Sequence, residues 1–176
     1  MRFSSLIILF LCIIGIKSAN NEQKVIDFAK KKLGCGYCYG ARGEIMTEKL
    51  LETLIKNYGE RKVNPARQRA ENMGKQVYCS GGLVEKAFAE VGIRIPFSPT
   101  PAWKGAKWAK KGGIGELPKD KVAILYESIE NMMINTGIYI KGNKFIFADG
   151  MKFEVVEQNI TSYRWTHYGI PKGLYK

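Results

Sequence analysis

The pattern of apolar residues changes after Pro96, and this limits the chain to folds in which helices come first and strands later. Before Pro96, spacings of three and four residues predict helices over Asn21 to Leu33, from after Thr47 to about Tyr58, from Pro65 through Arg69, and from Ser80 to a stop at Gly92. After it, apolar runs predict strands over Val122 to Tyr126, Met133 to Ile140, Lys144 to Ala148 and Phe153 to Glu157. Between them, Pro99 to Lys111 is predicted as a loop with a short basic helix that carries Trp103 and Trp108. This order predicts an α+β fold, with N-terminal helices packed on a C-terminal antiparallel sheet.

Residues 1–19 have the pattern of a secretory signal peptide. Arg2 gives a positive start, Leu6 to Ile16 is an unbroken apolar run, and Ser18-Ala19 supply small residues for cleavage. The apolar run is too short to span a bilayer, and no other segment is apolar enough to be a transmembrane segment. About 157 residues remain, which predicts a single domain over residues 20–176 in a secreted, extracellular protein.

The net charge indicates what kind of partner the protein would bind. The whole chain has a formal charge of +12, and about +10 remains once Arg2 and Lys17 leave with the signal peptide. A secreted protein with this charge is suited to anionic polymers such as bacterial peptidoglycan, acidic glycans or lipid head groups. Nucleic acid is not the expected partner, because no basic and aromatic recognition motif is present. A solvated basic surface without any partner is the alternative.

Three cysteines remain after Cys12 is removed with the signal peptide: Cys35, Cys38 and Cys79. Outside the cell an odd number means either one disulfide and a free thiol, or no disulfide. Cys35 and Cys38 have C-x-x-C spacing, but a single histidine and no second cysteine pair argue against a metal site, and no cofactor is predicted. A structural disulfide is the favoured interpretation. Asn159-Ile160-Thr161 is a candidate glycosylation site.

Two short segments contain the residues expected to carry chemistry. Tyr78-Cys79-Ser80-Gly81-Gly82-Leu83-Val84 places a small nucleophilic side chain at a loop-to-helix junction, where backbone amides and the helix dipole lower the pKa of a thiol. Asn135 directly precedes the apolar strand that begins at Thr136, where a thiol peptidase would carry its general base. An asparagine amide cannot take up a proton, so the sequence supplies only half of a catalytic site.

Four segments together resemble the NlpC-type cell-wall peptidases, a papain-like superfamily. They are Ala29-Lys30-Lys31-Lys32-Leu33-Gly34-Cys35-Gly36-Tyr37-Cys38-Tyr39-Gly40, Gly74-Lys75-Gln76-Val77 with the Cys79-Ser80-Gly81-Gly82-Leu83-Val84 run after it, Thr136-Gly137-Ile138-Tyr139-Ile140, and Trp165-Thr166-His167-Tyr168-Gly169. The resemblance covers nearly the whole chain after the signal peptide and makes residues 44–73 a helical insertion before the nucleophile segment. It implies a papain-like fold and a cysteine endopeptidase that cleaves peptidoglycan stem peptides.

The chain departs from the family at each catalytic position. The family pattern at the nucleophile is Asp-Cys-Ser-Gly-Leu, and an alignment without gaps from Gly74 to Leu83 puts the Asp on Cys79 and the nucleophile on Ser80. Retaining Cys79 as the nucleophile requires a deletion before it and an extra glycine after it. Because a one-residue slip turns a helix by about 100°, we favour Ser80 at the nucleophile position.

The other catalytic positions are also changed. The family histidine falls on Asn135, and the third polar residue, expected twelve positions later, falls on Phe147. An alternative is a rewired site in which His167, the only histidine, serves as the base. We favour a structural role for His167, because it lies in the closing motif.

The resemblance also suggests roles for residues around the nucleophile. Tyr37 is expected to line the substrate cleft, and Cys79 is expected near Cys35 or Cys38, close enough for a disulfide. Trp103 and Trp108 either form a wall that stacks on sugar or peptide, or are half-buried core residues.

Three functions remain open from the sequence. The first is a secreted pseudo-peptidase that binds peptidoglycan peptide or another anionic ligand without cutting it. The second is an active cysteine endopeptidase that uses Cys79 to cleave stem peptides next to D-glutamate. The third is a basic secreted effector that acts through its surface charge.

Overall fold

The computed structural model describes residues 21–175 of the chain. The predicted signal peptide and Cys12 lie outside the described residues. Within the described residues, no helix has the length and apolar character needed to cross a membrane.

The helices occupy the first two thirds of the chain. The described part opens in helix α1, which is helical over residues 21–31. The others are α2 (Glu48–Tyr58), α3 (Glu60–Val63), α4 (Pro65–Glu71), α5 (Ser80–Ala89) and α6 (Pro99–Gly105). Short 3-10 turns cover Ile114–Glu116 and Ile160–Ser162. The helices predicted after Thr47, at Pro65 and at Ser80 are therefore confirmed.

The strands form one continuous sheet. They are β1 (Gly36–Tyr37), β2 (Arg42–Ile45), β3 (Gln76–Tyr78), β4 (Trp108–Gly113), β5 (Ala123–Ile129), β6 (Met132–Tyr139), β7 (Lys144–Asp149), β8 (Glu154–Asn159) and β9 (His167–Pro171). Their order in the sheet is β2-β3-β1-β8-β7-β6-β5-β9-β4. The α+β class is confirmed, and β5 to β8 form the expected antiparallel meander. The sheet also includes the parallel pair β1 and β3, which the sequence did not suggest.

Each face of the sheet packs against its own apolar cluster, because neighbouring residues of a strand point to opposite sides. One face meets α1 and α5 through buried residues that include Val25, Leu83, Phe88, Ile124, Ile138 and Ile146. The other face carries a largely aromatic cluster that includes Leu125, Tyr139, Phe145, Phe147, Trp165 and Tyr168.

The helical segment of residues 44–73 shares a small apolar cluster with the neighbouring sheet edge. Helix α2 is capped by Thr47, the residue directly before it, whose Oγ1 accepts a 3.2 Å hydrogen bond from the backbone N–H of Leu50. Leu51 and Leu54 are buried, and they join Cys38 and its neighbours in a third cluster beside the sheet edge.

The segment around Trp108 differs from the prediction. Trp103 lies on a short helix as expected, but Trp108 begins strand β4, which pairs antiparallel with β9 at the edge of the sheet. The indole of Trp108 packs directly over Gly169 of β9, where a side chain would collide with the ring. This contact and the backbone ladder with β9 impose an extended conformation that local propensity does not predict.

Candidate functional site

The candidate nucleophiles lie at the N-terminus of helix α5. Cys79 is the residue before the helix and has an extended backbone, and Ser80 is the first helical residue. The thiol Sγ of Cys79 accepts a 3.3 Å hydrogen bond from the backbone N–H of Gly82. Cys79 therefore acts as the N-cap, a position that favours Ser, Thr, Asp and Asn.

Two glycines in the first turn of α5 determine how the helix is seated. A Cβ atom on Gly81 would overlap the carbonyl oxygen of Phe97, and one on Gly82 would overlap the carbonyl oxygen of Ala41. The first turn is thus held between two backbone segments that leave no room for a side chain. This contact fixes the rotation of the helix and directs Cys79 and Ser80 into the same cavity.

A cavity of about 790 Å³ opens beside this turn. Its aromatic lining consists of Tyr37, Tyr39, Tyr58, Phe97 and Tyr163, and its charged lining consists of Arg42, Glu127, Asp149 and Lys152. Cys79, Ser80 and Asn135 also line it. The structure therefore brings together the two candidate nucleophiles, the residue at the base position and the predicted cleft tyrosine.

A β-bulge shapes the wall formed by strand β6. Glu127 of β5 faces Asn135, while the next residue, Ser128, faces Met133, so that Ile134 has no partner across the ladder. Both Ile134 and Asn135 line the cavity as a result. Bulges commonly re-aim side chains at functional sites, and this one brings two neighbouring residues to one wall.

The amide of Asn135 belongs to a hydrogen-bonded chain. Its Nδ2 donates to the hydroxyl of Tyr163 at 2.6 Å, and that hydroxyl donates to Glu127 Oε2 at 2.8 Å. The other carboxylate oxygen of Glu127 accepts a 2.6 Å hydrogen bond from Arg164 Nε. Glu127 is only 3% exposed, so these donors satisfy a carboxylate that is otherwise removed from water.

The same chain holds Tyr163 in its protonated form. Burial, together with the hydrogen bond to Glu127, raises the pKa of Tyr163 to about 12, although the bond from Asn135 acts in the opposite direction. At neutral pH the Tyr163 hydroxyl therefore keeps its proton and donates a hydrogen bond to Glu127. The oxygen of the same hydroxyl accepts the hydrogen bond from the Asn135 amide.

The thiol of Cys79 is not activated in this environment. Burial raises its pKa above the ordinary value, and this effect outweighs the lowering by the backbone amides of Gly82, Gly40 and Gly81 and by the charge of Arg42. The backbone amides at the helix N-terminus do lower the pKa of Cys79, as expected. The net pKa is nevertheless raised, so the expected lowering is wrong, because Cys79 is only 8% exposed and burial has the larger effect.

The expected disulfide is absent from the described part of the chain, where Cys35, Cys38 and Cys79 are all free thiols. Cys38 does lie beside the nucleophile segment, since its backbone N–H donates to the carbonyl of Tyr78 at 3.0 Å. Burial and the neighbouring Cys79 raise the pKa of Cys38 to about 12. Burial also raises the pKa of Cys35, against the opposing charge of Lys32.

Tyr37 lies on the short strand β1, in the cavity wall. Its carbonyl oxygen accepts hydrogen bonds from Gln68 Nε2 at 3.0 Å and from Asn72 Nδ2 at 2.9 Å. Its ring packs against Gly150, where a Cβ atom would approach the ring within 3.1 Å. The helical segment of residues 44–73 and the β7–β8 loop thus hold this tyrosine from two sides.

Two candidate residues lie outside the cavity. The ring of His167 stacks edge to face on Trp103 with centroids 5.2 Å apart, and its Nδ1 lies 2.9 Å from Thr166 Oγ1. Trp103 also packs against Trp108 and Tyr126, and neither His167 nor Trp103 lines the cavity. Trp103 therefore matches the half-buried alternative rather than a cleft wall.

Phe147 and Asn159 are also remote from the nucleophiles. Phe147, which the sequence resemblance puts at the third catalytic position, is buried on the aromatic face of the sheet against Phe145 and Trp165. Asn159 is exposed at the end of β8, where its Oδ1 accepts hydrogen bonds from the backbone and hydroxyl of Thr161.

The sequence did not single out several residues that line the cavity. Glu127 is a charged residue at the end of an apolar strand, which is a weak signal on its own. Asp149 is the last residue of β7, and its Oδ1 accepts the backbone N–H groups of Met151 and Lys152 at 2.8 and 3.3 Å. Among residues 21–175, no three His, Cys, Asp or Glu side chains are grouped to hold a metal ion.

No family model and no curated protein matches this sequence. Among solved structures, NlpC1 from Trichomonas vaginalis is similar with a TM-score of 0.57 and 16% identity, over 86% of this chain and 44% of that one. RipB, a peptidoglycan hydrolase from Mycobacterium tuberculosis, is similar with a TM-score of 0.59 and 15% identity. The similarity covers 88% of this chain and 66% of RipB. The NlpC/p60 domain of the peptidoglycan hydrolase SagA is similar with a TM-score of 0.56 and 12% identity. The similarity covers 84% of this chain and 97% of the SagA domain.

These similarities show the fold. The chain has the papain-like NlpC/p60 fold, as the sequence motifs predicted. It spans less than half the length of the two Trichomonas vaginalis proteins, NlpC1 and NlpC2, and about the full length of the SagA domain.

Proposed function

We propose that this chain is a secreted NlpC-type protein that binds peptidoglycan stem peptide in its cavity and hydrolyses it very slowly or not at all. The observation that carries the proposal is the state of Asn135. The sequence resemblance puts this residue at the position of the family base, and its amide is hydrogen-bonded to Tyr163 at 2.6 Å. His167, the only histidine of the sequence, is outside the cavity, so no imidazole is available to take a proton there.

The position of Cys79 supports Ser80 as the residue at the nucleophile position. In the alignment without gaps the family aspartate falls on Cys79, and Cys79 is the N-cap of α5, where aspartate is among the favoured residues. Ser80 then follows at the first helical position. A serine hydroxyl needs a general base to become nucleophilic, and Asn135 cannot supply one.

The lining of the cavity supports a peptide ligand. Arg42 and Lys152 can pair with carboxylates, and Asp149 can pair with an ammonium group. The aromatic side chains of the cavity lining supply apolar contact area around these charges. RipB and SagA are named as peptidoglycan hydrolases, and stem peptides carry both kinds of charge, so a stem peptide is the ligand that we propose.

A second candidate is a cysteine endopeptidase with Cys79 as its nucleophile. The observation that favours it is the set of three backbone amides, from Gly40, Gly81 and Gly82, which stabilise the thiolate of Cys79 at the rim of the cavity. Such amides also stabilise a developing oxyanion. Against it, the net pKa of Cys79 is raised, and no imidazole lines the cavity to take up the proton of the thiol.

The test combines cleavage and binding. The secreted form of the protein is incubated with purified peptidoglycan, released fragments are measured by mass spectrometry, and a soluble stem peptide is titrated by calorimetry. We expect saturable binding without fragments. Fragments that vanish with Cys79→Ala and persist with Ser80→Ala would overturn the proposal in favour of the cysteine endopeptidase. If neither binding nor cleavage occurs, the effector that acts through surface charge becomes the better account.

A matched pair of variants assigns the binding to the cavity. Ile134 lines the cavity and is 45% exposed, whereas Met132 lies on the same strand, is 57% exposed and does not line it. Ile134→Trp should block the cavity and abolish peptide binding, and Met132→Trp should leave it unchanged. Equal binding by the two variants would show that the peptide binds elsewhere.

A further inference from the structure

A second groove lies on the opposite side of the segment that joins α5 to α6. It has a volume of about 680 Å³ and is lined by residues 91–96, 105–107 and 172–173. None of these residues lines the first cavity. The linking segment separates the two sites, since residues 97–99 face the cavity and residues 91–96 face the groove.

The groove contains three cationic side chains and no acidic one. Arg94, Lys107 and Lys172 each come from a different lining segment. The backbone N–H of Lys172 donates a 2.7 Å hydrogen bond to the carbonyl of Lys107, which keeps these two lysines adjacent. Within residues 21–175, the ion pairs involve other residues, so none of these three charges is neutralised by a salt bridge to a carboxylate of that part of the chain.

The remaining surface of the groove is aliphatic. Ile95 is 3% exposed, Val91 and Ile93 are partly buried against the core, and Pro96 completes this part of the lining. Aliphatic side chains pack against the C–H faces of sugar rings without requiring a hydrogen bond. The groove has no aromatic side chain on which a nucleic acid base could stack.

We propose that this groove binds a linear anionic glycan, with sugar rings on the aliphatic floor and acidic substituents against Arg94, Lys107 and Lys172. Three cations from separate segments suit a ligand with several negative groups along its length, because each cation can pair with a different group. Such a site would hold the protein on an anionic polymer while leaving the cavity open. This proposal is independent of what the cavity binds.

The test uses a heparin oligosaccharide as the probe, a linear sulfated glycan, with binding followed by fluorescence anisotropy at several salt concentrations. The variant Arg94→Gln/Lys107→Gln/Lys172→Gln is compared with Arg61→Gln/Lys49→Gln/Lys56→Gln. The control has the same change in charge, at exposed residues outside the groove. We expect the groove variant to bind at least about tenfold more weakly, and the slope of log K against log salt to fall by about two.

The control variant should lose less than about threefold in affinity, as expected for a general reduction in charge. Equal losses of heparin affinity in the two variants would overturn the proposal that the groove binds the glycan, and would indicate binding to a diffuse basic surface. A single-stranded oligonucleotide is tested as a second probe, to determine whether the groove prefers a glycan to a nucleic acid. If it binds as tightly as heparin and is equally weakened by the groove variant, the assignment to a glycan is wrong. Circular dichroism of both variants confirms that each is folded.

The cavity variant separates this site from the proposed peptide site. Ile134→Trp should bind heparin with unchanged affinity, because Ile134 lines only the cavity. Loss of heparin binding in this variant would place the glycan in the cavity and overturn the proposal for the groove.

Discussion

Asn72 donates a 2.9 Å hydrogen bond from its side-chain Nδ2 to the backbone carbonyl of Tyr37, and this bond joins the helical segment of residues 44–73 to the wall of the cavity. Gln68 donates to the same carbonyl at 3.0 Å and accepts a 2.8 Å bond from Asn72. Both amide side chains are almost completely buried, at 0% and 1% exposure. Residues 44–73 therefore support the cleft loop as well as the small apolar cluster that they share with the sheet edge.

Replacement of Asn72 should weaken both the fold and the site. Asn72→Ala removes one of the two donors to the Tyr37 carbonyl and leaves Gln68 Oε1 without this partner in a buried region. We expect a loss of about 1–3 kcal/mol in the free energy of unfolding, measured by urea denaturation. Asn57→Ala, at an exposed position of α2, is the control and should change stability by less than about 0.5 kcal/mol. Equal stability of the two variants would contradict this role.

The glycine pair in α5 gives a second prediction. Gly82→Ala places a methyl group against the backbone carbonyl of Ala41, and neither backbone segment can move away without disturbing the sheet edge. We expect this substitution to cost about 1–3 kcal/mol, measured by thermal or urea unfolding. Gly115→Ala is the matched control, because no atom lies within 4 Å of its added methyl group. Equal stability of Gly82→Ala and the wild type would show that the first turn of α5 does not pack closely against the Ala41 backbone.

Local signals predicted the elements that depend on local interactions. Helix α2 was expected from after Thr47 to about Tyr58, and it spans Glu48–Tyr58 because the threonine cap and the leucine spacing both act within one segment. The turn at residues 141–143 was expected to join two strands. All three of its residues have positive φ angles, between 60° and 71°, which the Lys-Gly-Asn sequence tolerates.

The elements that the sequence did not predict depend on distant partners. Strand β1 has two residues and exists because Gly36 and Tyr37 pair with Val77 and Tyr78, about forty positions later. Strand β4 has a polar, glycine-containing sequence and forms because β9 pairs with it. Neither segment has the alternating apolar pattern by which a strand is recognised.

The candidate site was predictable only in part for the same reason. The motif around Cys79 and Ser80 and the asparagine before the apolar strand were visible from their neighbours in sequence. The partners of Asn135 were not, because Tyr163 is 28 residues away and Glu127 belongs to the adjacent strand. The absence of a disulfide among Cys35, Cys38 and Cys79 could not be predicted either, since C-x-x-C spacing does not fix the direction of the side chains.

The Asn135 network leads to a third prediction. Tyr163→Phe removes the hydroxyl that donates to the buried carboxylate of Glu127 and accepts from Asn135. We expect a loss of about 1–3 kcal/mol in stability and weaker binding of stem peptide in the calorimetric titration. Tyr39→Phe is the control, because Tyr39 also lines the cavity but is 37% exposed. Unchanged stability and binding in Tyr163→Phe would show that the network does not support the cavity.

The raised pKa of Cys79 gives a fourth prediction, on its reactivity. A pKa above the ordinary 9.0 means that a smaller fraction of this thiol is ionised at neutral pH than in a free cysteine. Iodoacetamide should therefore modify Cys79 more slowly than it modifies free cysteine at about pH 7, and the rate should continue to rise above about pH 9. Peptide mass spectrometry gives the rate for each cysteine. Rapid modification of Cys79 at neutral pH would instead support the cysteine endopeptidase.

The buried thiol of Cys38 gives the last prediction, on stability in alkaline solution. Its pKa is raised from 9.0 to about 12, so above about pH 9 the unfolded chain releases this proton while the folded chain retains it. The stabilising effect is complete below about pH 9 and is lost as the pH rises toward about 12.

Between about pH 9 and about pH 10 this loss should amount to about 1 kcal/mol at most, before the buried tyrosines contribute. Urea denaturation at the two pH values should show a smaller decrease for Cys38→Ala than for the wild type. Cys35→Ala is the comparison, because Cys35 is only partly buried and lies near Lys32, so it should follow the wild type more closely. An identical pH dependence in the wild type and Cys38→Ala would show that Cys38 ionises in the folded protein as readily as in the unfolded chain.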